Sequence, residues 1–345
     1  MNNQIKKKSI KEKIIDFLKS PKEVISFALP IIIALCMLIP MPYYVTIGGG
    51  VLSLNDKIEI AGQINKKGSF NSAYVQTIRS NVMFYLLSFV VPNYEREKIE
   101  EVVLEDEKIE DYKFREKLYF KASIENATKL AYEKAGKKVD IKSTHLHITY
   151  ILTEAKTDLK VADEIIMVEN IKVSNAEDMQ KVINDFSYKE EIIITVIRNK
   201  KEINCHAKLI DINGEKKIGI SLMISYDLDT NPKVNYNFSN NEQGPSGGLM
   251  LALNIYNKLI KTDITKGNKV VGTGTIDFDG TVGEIGGIKY KVMGAAKARA
   301  DIMLVPKENY EEAIKTKEEN GYNLKIVAVS TFEEALLELS KLDKK

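Results

Sequence analysis

The sequence has no tryptophan, only two cysteines and three histidines in 345 residues, and only five arginines among its 50 basic residues. Cys36 and Cys205 make no disulfide scaffold, and no CxxC pair is present for zinc or thiol redox work. Scarce arginine, with 50 basic against 48 acidic residues, argues against a nucleic-acid binder, which leans on arginine forks and a basic excess. No GxxxxGK[ST] occurs, so there is no P-loop nucleotide site. What remains is a globular composition, 44% hydrophobic and 28% charged, long enough for roughly two to three domains.

The near-neutral total of +2 hides an asymmetry: residues 1–23 carry seven lysines against three acids. Residues 24–45 follow without a charge and, as a helix, would span ~33 Å, matching a hydrocarbon core. Tyr43 and Tyr44 stand where an aromatic belt belongs, and the preceding lysines assign the N-terminus to the cytoplasm. A cleaved signal peptide and a buried soluble helix are the competing readings. The absence of a small-x-small site after the run disfavours the first, and the length and flanking lysines the second. The expectation is a single-pass cell-membrane anchor with the remainder extracellular. Before it, Ser9-x-x-Glu12 reads as the start of a short amphipathic helix on the inner leaflet, with a frayed, solvated tail as the alternative reading.

Residues 46–138 read as a connecting region: a strand at 57–64, a turn at Lys66–Gly68, a buried apolar segment at 81–92 with a membrane-surface contact as the lesser option, and a charged helix ending at Gly136. Residues 139–212 form a compact unit. It has strands at 146–152 and 163–168, a helix capped at Ser174, and a hairpin around Asn199-Lys200. Residues 213–345 alternate strands and helices.

The chemistry concentrates in Gln243-Gly244-Pro245-Ser246-Gly247-Gly248, directly before a helical pattern. Glycines admit a substrate backbone, and free N–H groups with the helix dipole can hold an oxyanion. The plainer reading is a Gly-Pro turn with Ser246 as the helix N-cap. The motif also satisfies G-x-S-x-G, but that family needs a histidine after the serine, and His145, His147 and His206 all precede it. A serine without histidine needs a lysine of depressed pKa. Gly286-Gly287-Ile288-Lys289-Tyr290-Lys291 offers two. His145 and His147 read as surface residues, so no metal and no cofactor are expected.

The pair GPSGG … TGTIDFDGTVGEIGGIKYK … ADIMLVPKEN closely resembles the Lon protease proteolytic domain. The resemblance implies a Ser–Lys dyad of Ser246 and Lys291, with Thr273 orienting the lysine amine, and an oxyanion and substrate-backbone site at Gly244, Ser246 and Gly247. DLKVADEIIMVENIKV resembles a bacterial PDZ domain, with Ala162 in place of a glycine and Glu169-Asn170 in place of Asn-Gly. The whole order resembles the membrane-anchored PDZ/Lon-like peptidases of Gram-positive bacteria. It implies an α+β multidomain chain: a transmembrane helix, a PDZ-like domain and a Lon-type proteolytic domain. The activity implied is ATP-independent serine endopeptidase on peptide or protein substrates outside the cytoplasm, with no nucleotide and no nucleic acid as partner. The alternative is a non-catalytic PDZ scaffold carrying a degenerate protease domain. No oligomeric state is fixed.

Overall fold

Proline decides where the apolar helix stops. In the computed structural model, which describes residues 20–63, 66–239 and 242–345, the helix runs Pro21–Leu38 and the chain then turns into the strand Pro40–Ser53. The expected span of 24–45 is therefore corrected at its far end. Pro40 has no N–H and disfavours helical geometry at Ile39, which is extended. Eighteen residues give a rod of ~27 Å, and none of its side chains is buried. The Ser9-x-x-Glu12 segment lies outside the described residues.

Two compact units divide the chain, with the boundaries inside two continuous strands. The first holds, of the described residues, 20–48 and 76–102. Here Thr46 to Tyr43 pair antiparallel with Glu95–Lys98. Asn81 caps the short helix Val82–Leu87 by accepting the Phe84 N–H at 3.0 Å. The expected burial of 81–92 is not found: Leu86, Phe89 and Val90 are exposed.

The second unit, residues 49–75 and 103–345, contributes to two large sheets of different kinds, beside two small two-stranded ones. In one, Lys325–Val329, Ile302–Pro306, Lys269–Gly272 and Ser69–Asn81 pair parallel in that order, and Pro40–Ser53 and then Glu95–Lys98 continue the sheet, the last pair antiparallel. Its central strands are apolar on both faces, as parallel strands between helices must be. Val270, Ile302 and Leu304 face the helices Gly248–Leu259 and Phe332–Ser340. Val271, Met303 and Val305 face Ile288–Lys297 and its neighbour Tyr310–Glu319. Residues 49–75, expected as connector, thus supply strands to the sheet assigned to 213–345. The long helix Ile109–Lys134 also joins that core, through Ala127, Leu130, Ala131 and Tyr132. Contiguity in sequence had hidden this, because a parallel partner can enter from any distance along the chain.

The other sheet is antiparallel: Ile220–Asn231, Lys138–Ile151, Glu164–Val168, Glu191–Arg198 and Lys201–Lys208 in order. Its first strand extends the unit beyond the expected limit of 212. Met179, Val182 and Ile183 of the helix Ala176–Asp185 pack on Leu146, Ile165, Ile192 and Ile194. The helix is capped by Asn175, which accepts the Asp178 N–H, and not by Ser174. The hairpin turn holds Asn199 and Lys200 at φ 52° and 63°, which a tight two-residue turn requires. Arg198 grips buried Asp163 through both carboxylate oxygens, at 2.7 and 2.6 Å, a geometry that offsets the cost of burying the charge.

Ala162 stands at φ 75°, a left-handed conformation that costs a residue with a Cβ about 1–2 kcal/mol. Ala162→Gly removes that strain while keeping the bond from this N–H to the Ile148 carbonyl at 2.9 Å. The expected gain is about 1 kcal/mol after the added entropy of the unfolded chain, read as a higher denaturation midpoint.

Candidate active site

The serine loop is held from below by the long helix. Gly244, at φ 78°, donates its N–H to the Glu116 carbonyl at 3.2 Å, and Ser123 Oγ donates to the Pro245 carbonyl at 3.1 Å. Burial pushes the Glu116 carboxyl above its usual range. From the other side, the Ser246 carbonyl accepts the Gly274 N–H at 2.8 Å and Thr273 Oγ1 at 3.0 Å. Leu249 N–H returns a bond to the Gly274 carbonyl at 3.1 Å. The backbone of Ser246 is therefore pinned to the end of the strand Lys269–Gly272.

The helix N-cap is Gly247, and no side chain caps it. This overturns the reading of Ser246 as a capping residue. Among the described residues, Ser246 Oγ makes no hydrogen bond, and the N–H groups of Ser246 and Gly247 have no protein acceptor. A half-buried hydroxyl beside two unpaired donors at a helix start is an arrangement for attack and oxyanion binding. Gly244 does not share that role through its N–H, which Glu116 occupies.

Lys291 sits in the first turn of Ile288–Lys297 and is 3% exposed. Burial alone lowers its pKa to about 8, with no carboxylate opposing the shift. Of the two lysines the sequence offered, Lys289 is half-exposed and only Lys291 is enclosed. Its helix packs closely on Gly49 and Gly50. A Cβ at Gly49 would fall 2.1 Å from the Tyr290 carbonyl oxygen, and one at Gly294 would fall 2.7 Å from the Gly50 nitrogen.

The glycine after Ser246 and the glycine that opens the lysine helix both lie against the strand Ser69–Asn81. A Cβ at Gly247 would lie 3.0 Å from Ser72 Oγ, and one at Gly287, the N-cap of the lysine helix, 2.7 Å from Val75 Cγ2. No hydrogen bond joins Ser246 Oγ to Lys291 Nζ; such bonds commonly tighten only when substrate binds. Thr273, fully buried, is placed on the serine carbonyl and not on the lysine amine.

Residue-by-residue reading missed Ser72, Glu116 and Ser123, because nothing local marks a residue that braces a loop more than a hundred positions away. The run Gly48-Gly49-Gly50 was the one available sign of close backbone approach. The histidines lie on the antiparallel sheet. His145 bonds Glu164 at 2.7 Å and Asp227 at 3.1 Å, and His147 bonds Ser225 at 3.1 Å. His206 is exposed. Among the described residues no cluster of three or more His, Cys, Asp or Glu is placed to hold a metal ion.

Residues 239–341 match the family of the Lon protease (S16) C-terminal proteolytic domain. The C-terminal part of this chain is a Lon-type proteolytic domain. Among curated relatives, a Lon protease of Campylobacter jejuni is 34% identical over 134 residues, covering 35% of this chain and 16% of that protein. Lon protease 2 of Bacillus subtilis is 34% identical over 96 residues, covering 28% and 16%. The Lon protease of Clostridioides difficile is 30% identical over 161 residues, covering 42% and 20%. The chain thus spans only about a fifth or less of these relatives' length. The Lon-type domain is that of a serine peptidase, and its matched span contains Ser246, Thr273 and Lys291.

Proposed function

We propose that this chain is an ATP-independent serine endopeptidase with a Ser246–Lys291 dyad, anchored in a cell membrane by Pro21–Leu38 with its catalytic part outside the cytoplasm. The observation that carries the reading is the buried Lys291, whose pKa is lowered to about 8, in the same unit as a serine hydroxyl that no described residue bonds. Neutral Lys291 accepts the proton of Ser246 Oγ as that oxygen attacks the scissile carbonyl. The N–H groups of Ser246 and Gly247 receive the developing oxyanion. Lys291 then protonates the leaving amine, and water hydrolyses the acyl-enzyme. Thr273 acts on the serine side, holding the Ser246 carbonyl so that these N–H groups keep their aim.

The sequence carries no P-loop, so substrates are peptides, flexible tails or exposed loops that need no unfolding. The antiparallel sheet and its helix are read as a PDZ-like unit that holds an extended substrate segment. This is supported by a cleft of about 190 Å³ between Met179 and Ile183 of the helix and Ile220 and Leu222 of the edge strand, with Ile218 just before it. The anchor reading is supported by the apolar, wholly unburied helix and by the lysines before it.

The test uses the full chain reconstituted in vesicles and offered a mixture of unstructured peptides, with and without ATP and magnesium. Cleavage at internal bonds, equal in both conditions, is the expected result. Cleavage that requires ATP would overturn the independence from nucleotide, and wild-type protein that cleaves nothing would leave only a scaffold.

A further inference from the structure

The run 82–91, VMFYLLSFVV, is too short to span a bilayer and is not packed into a core. Leu86 is 53%, Phe89 56% and Val90 74% exposed. Its place in the first unit is fixed by two bonds to the end of the apolar helix. The Val82 N–H donates to the Ile39 carbonyl at 3.1 Å, and Asn81 Nδ2 donates to the Met37 carbonyl at 3.0 Å. The patch therefore continues the apolar surface of Pro21–Leu38, in which Leu35, Met37 and Leu38 are also exposed.

Its polar groups are arranged for a medium poor in water. Ser88, Phe89, Val90 and Val91 donate their N–H groups to carbonyls within the run, and Ser88 Oγ donates to the Tyr85 carbonyl at 2.6 Å. Internal pairing of this kind is what residence near hydrocarbon demands. At the edge of the patch, Tyr43, Tyr85 and Phe89 form an aromatic cluster with centroids 5.0 and 5.3 Å apart. The Arg96 guanidinium lies 3.9 Å over Phe89, at the head of the charged strand Glu95–Lys98. Aromatic rings with a cationic head beyond them mark the level of lipid headgroups.

We propose that residues 82–91 lie in the interfacial layer of the bilayer as a second, non-spanning membrane contact tied to the anchor. The inference rests on Pro21–Leu38 being that anchor. Such a contact restrains the tilt and rotation of the first unit at the surface, which a lone helix leaves free.

The lack of tryptophan supplies the test. Single reporters Phe89→Trp and Val90→Trp are placed in the full chain in phosphatidylcholine vesicles, with lipids brominated either high in the acyl chain or near its end. Phe27→Trp reports on the anchor, and Tyr188→Trp, at a 77% exposed position of the antiparallel unit, reports on water. The proposal expects Phe89→Trp and Val90→Trp to lose most of their emission to the shallow bromines and less to the deep ones, with Tyr188→Trp unaffected. Patch reporters that behave like Tyr188→Trp while Phe27→Trp is quenched would sink this contact alone. Quenching at none of the three membrane positions would remove the anchor and this proposal together. Blue-shifted patch emission that no brominated lipid quenches would assign the surface to a protein partner and overturn the proposal.

Discussion

Ser246→Ala is expected to lower kcat on an unstructured peptide by about 10⁴-fold or more, the scale seen when a serine nucleophile is removed. The substitution touches nothing else. Among the described residues Ser246 Oγ bonds no protein group, and the two bonds that fix the residue, from Gly274 N–H and Thr273 Oγ1, both go to its carbonyl. The helix that follows loses no cap, because Gly247 is the N-cap. Stability should therefore change by no more than about 0.5 kcal/mol. Steady-state turnover and thermal unfolding of the same preparation check both halves. Wild-type turnover in the alanine variant would move the nucleophile elsewhere. Lost turnover with a much lower unfolding midpoint would mean that the loop, and not the hydroxyl, had been damaged.

The second large effect belongs to Lys291, where activity and stability are expected to move in opposite directions. Its pKa is lowered from 10.5 to about 8 by burial. The catalytic form is the neutral amine, so wild-type kcat/KM should rise with pH and level off above about 8. The same shift is a cost to folding. A folded-state pKa below the unfolded value means that the unfolded chain binds more protons between the two values. The penalty is fully present below about 8 and fades as pH rises from there to 10.5. Lys291→Met keeps the length and removes the amine. It should abolish turnover and, near pH 6, raise stability by up to about 3 kcal/mol, the shift converted at 1.36 kcal/mol per unit. That gain should vanish above pH 10.5. Lys291→Arg should not restore activity, since a guanidinium does not give up its proton. Denaturant unfolding at several pH values, beside a pH–rate profile, reads the whole pattern. An active Lys291→Met variant, or a stability gain independent of pH, would contradict the assignment.

The chemistry of this chain was legible where it is local. Gly-Pro-Ser-Gly-Gly before a helical pattern, a histidine order incompatible with a triad, and two lysines in a glycine-rich turn narrowed the site to Ser246 and a lysine. The apolar run after a basic segment was equally plain, and so was the hairpin at Asn199-Lys200. The misreadings fall where the answer depends on partners remote in sequence. Alternation at 57–64 announced a strand, and among the described residues of that stretch the strand is Ile58–Ile60, paired with Val234–Tyr236. Residues 81–92 read as buried because apolar content alone does not distinguish a core from an exposed apolar surface.

The sequence by itself determined the ingredients: an apolar helix that Pro40 must end, a serine among glycines, and a lysine on a helix start. Only the tertiary structure decided what they become. The strand from residue 69 crosses most of the chain to pair parallel with Lys269–Gly272, and the long helix braces the serine loop. That packing buries Lys291 without a counter-charge. The reason is physical: a backbone turn is set by neighbours along the chain, whereas a depressed lysine pKa is set by what excludes water from it, and those groups come from everywhere in the fold.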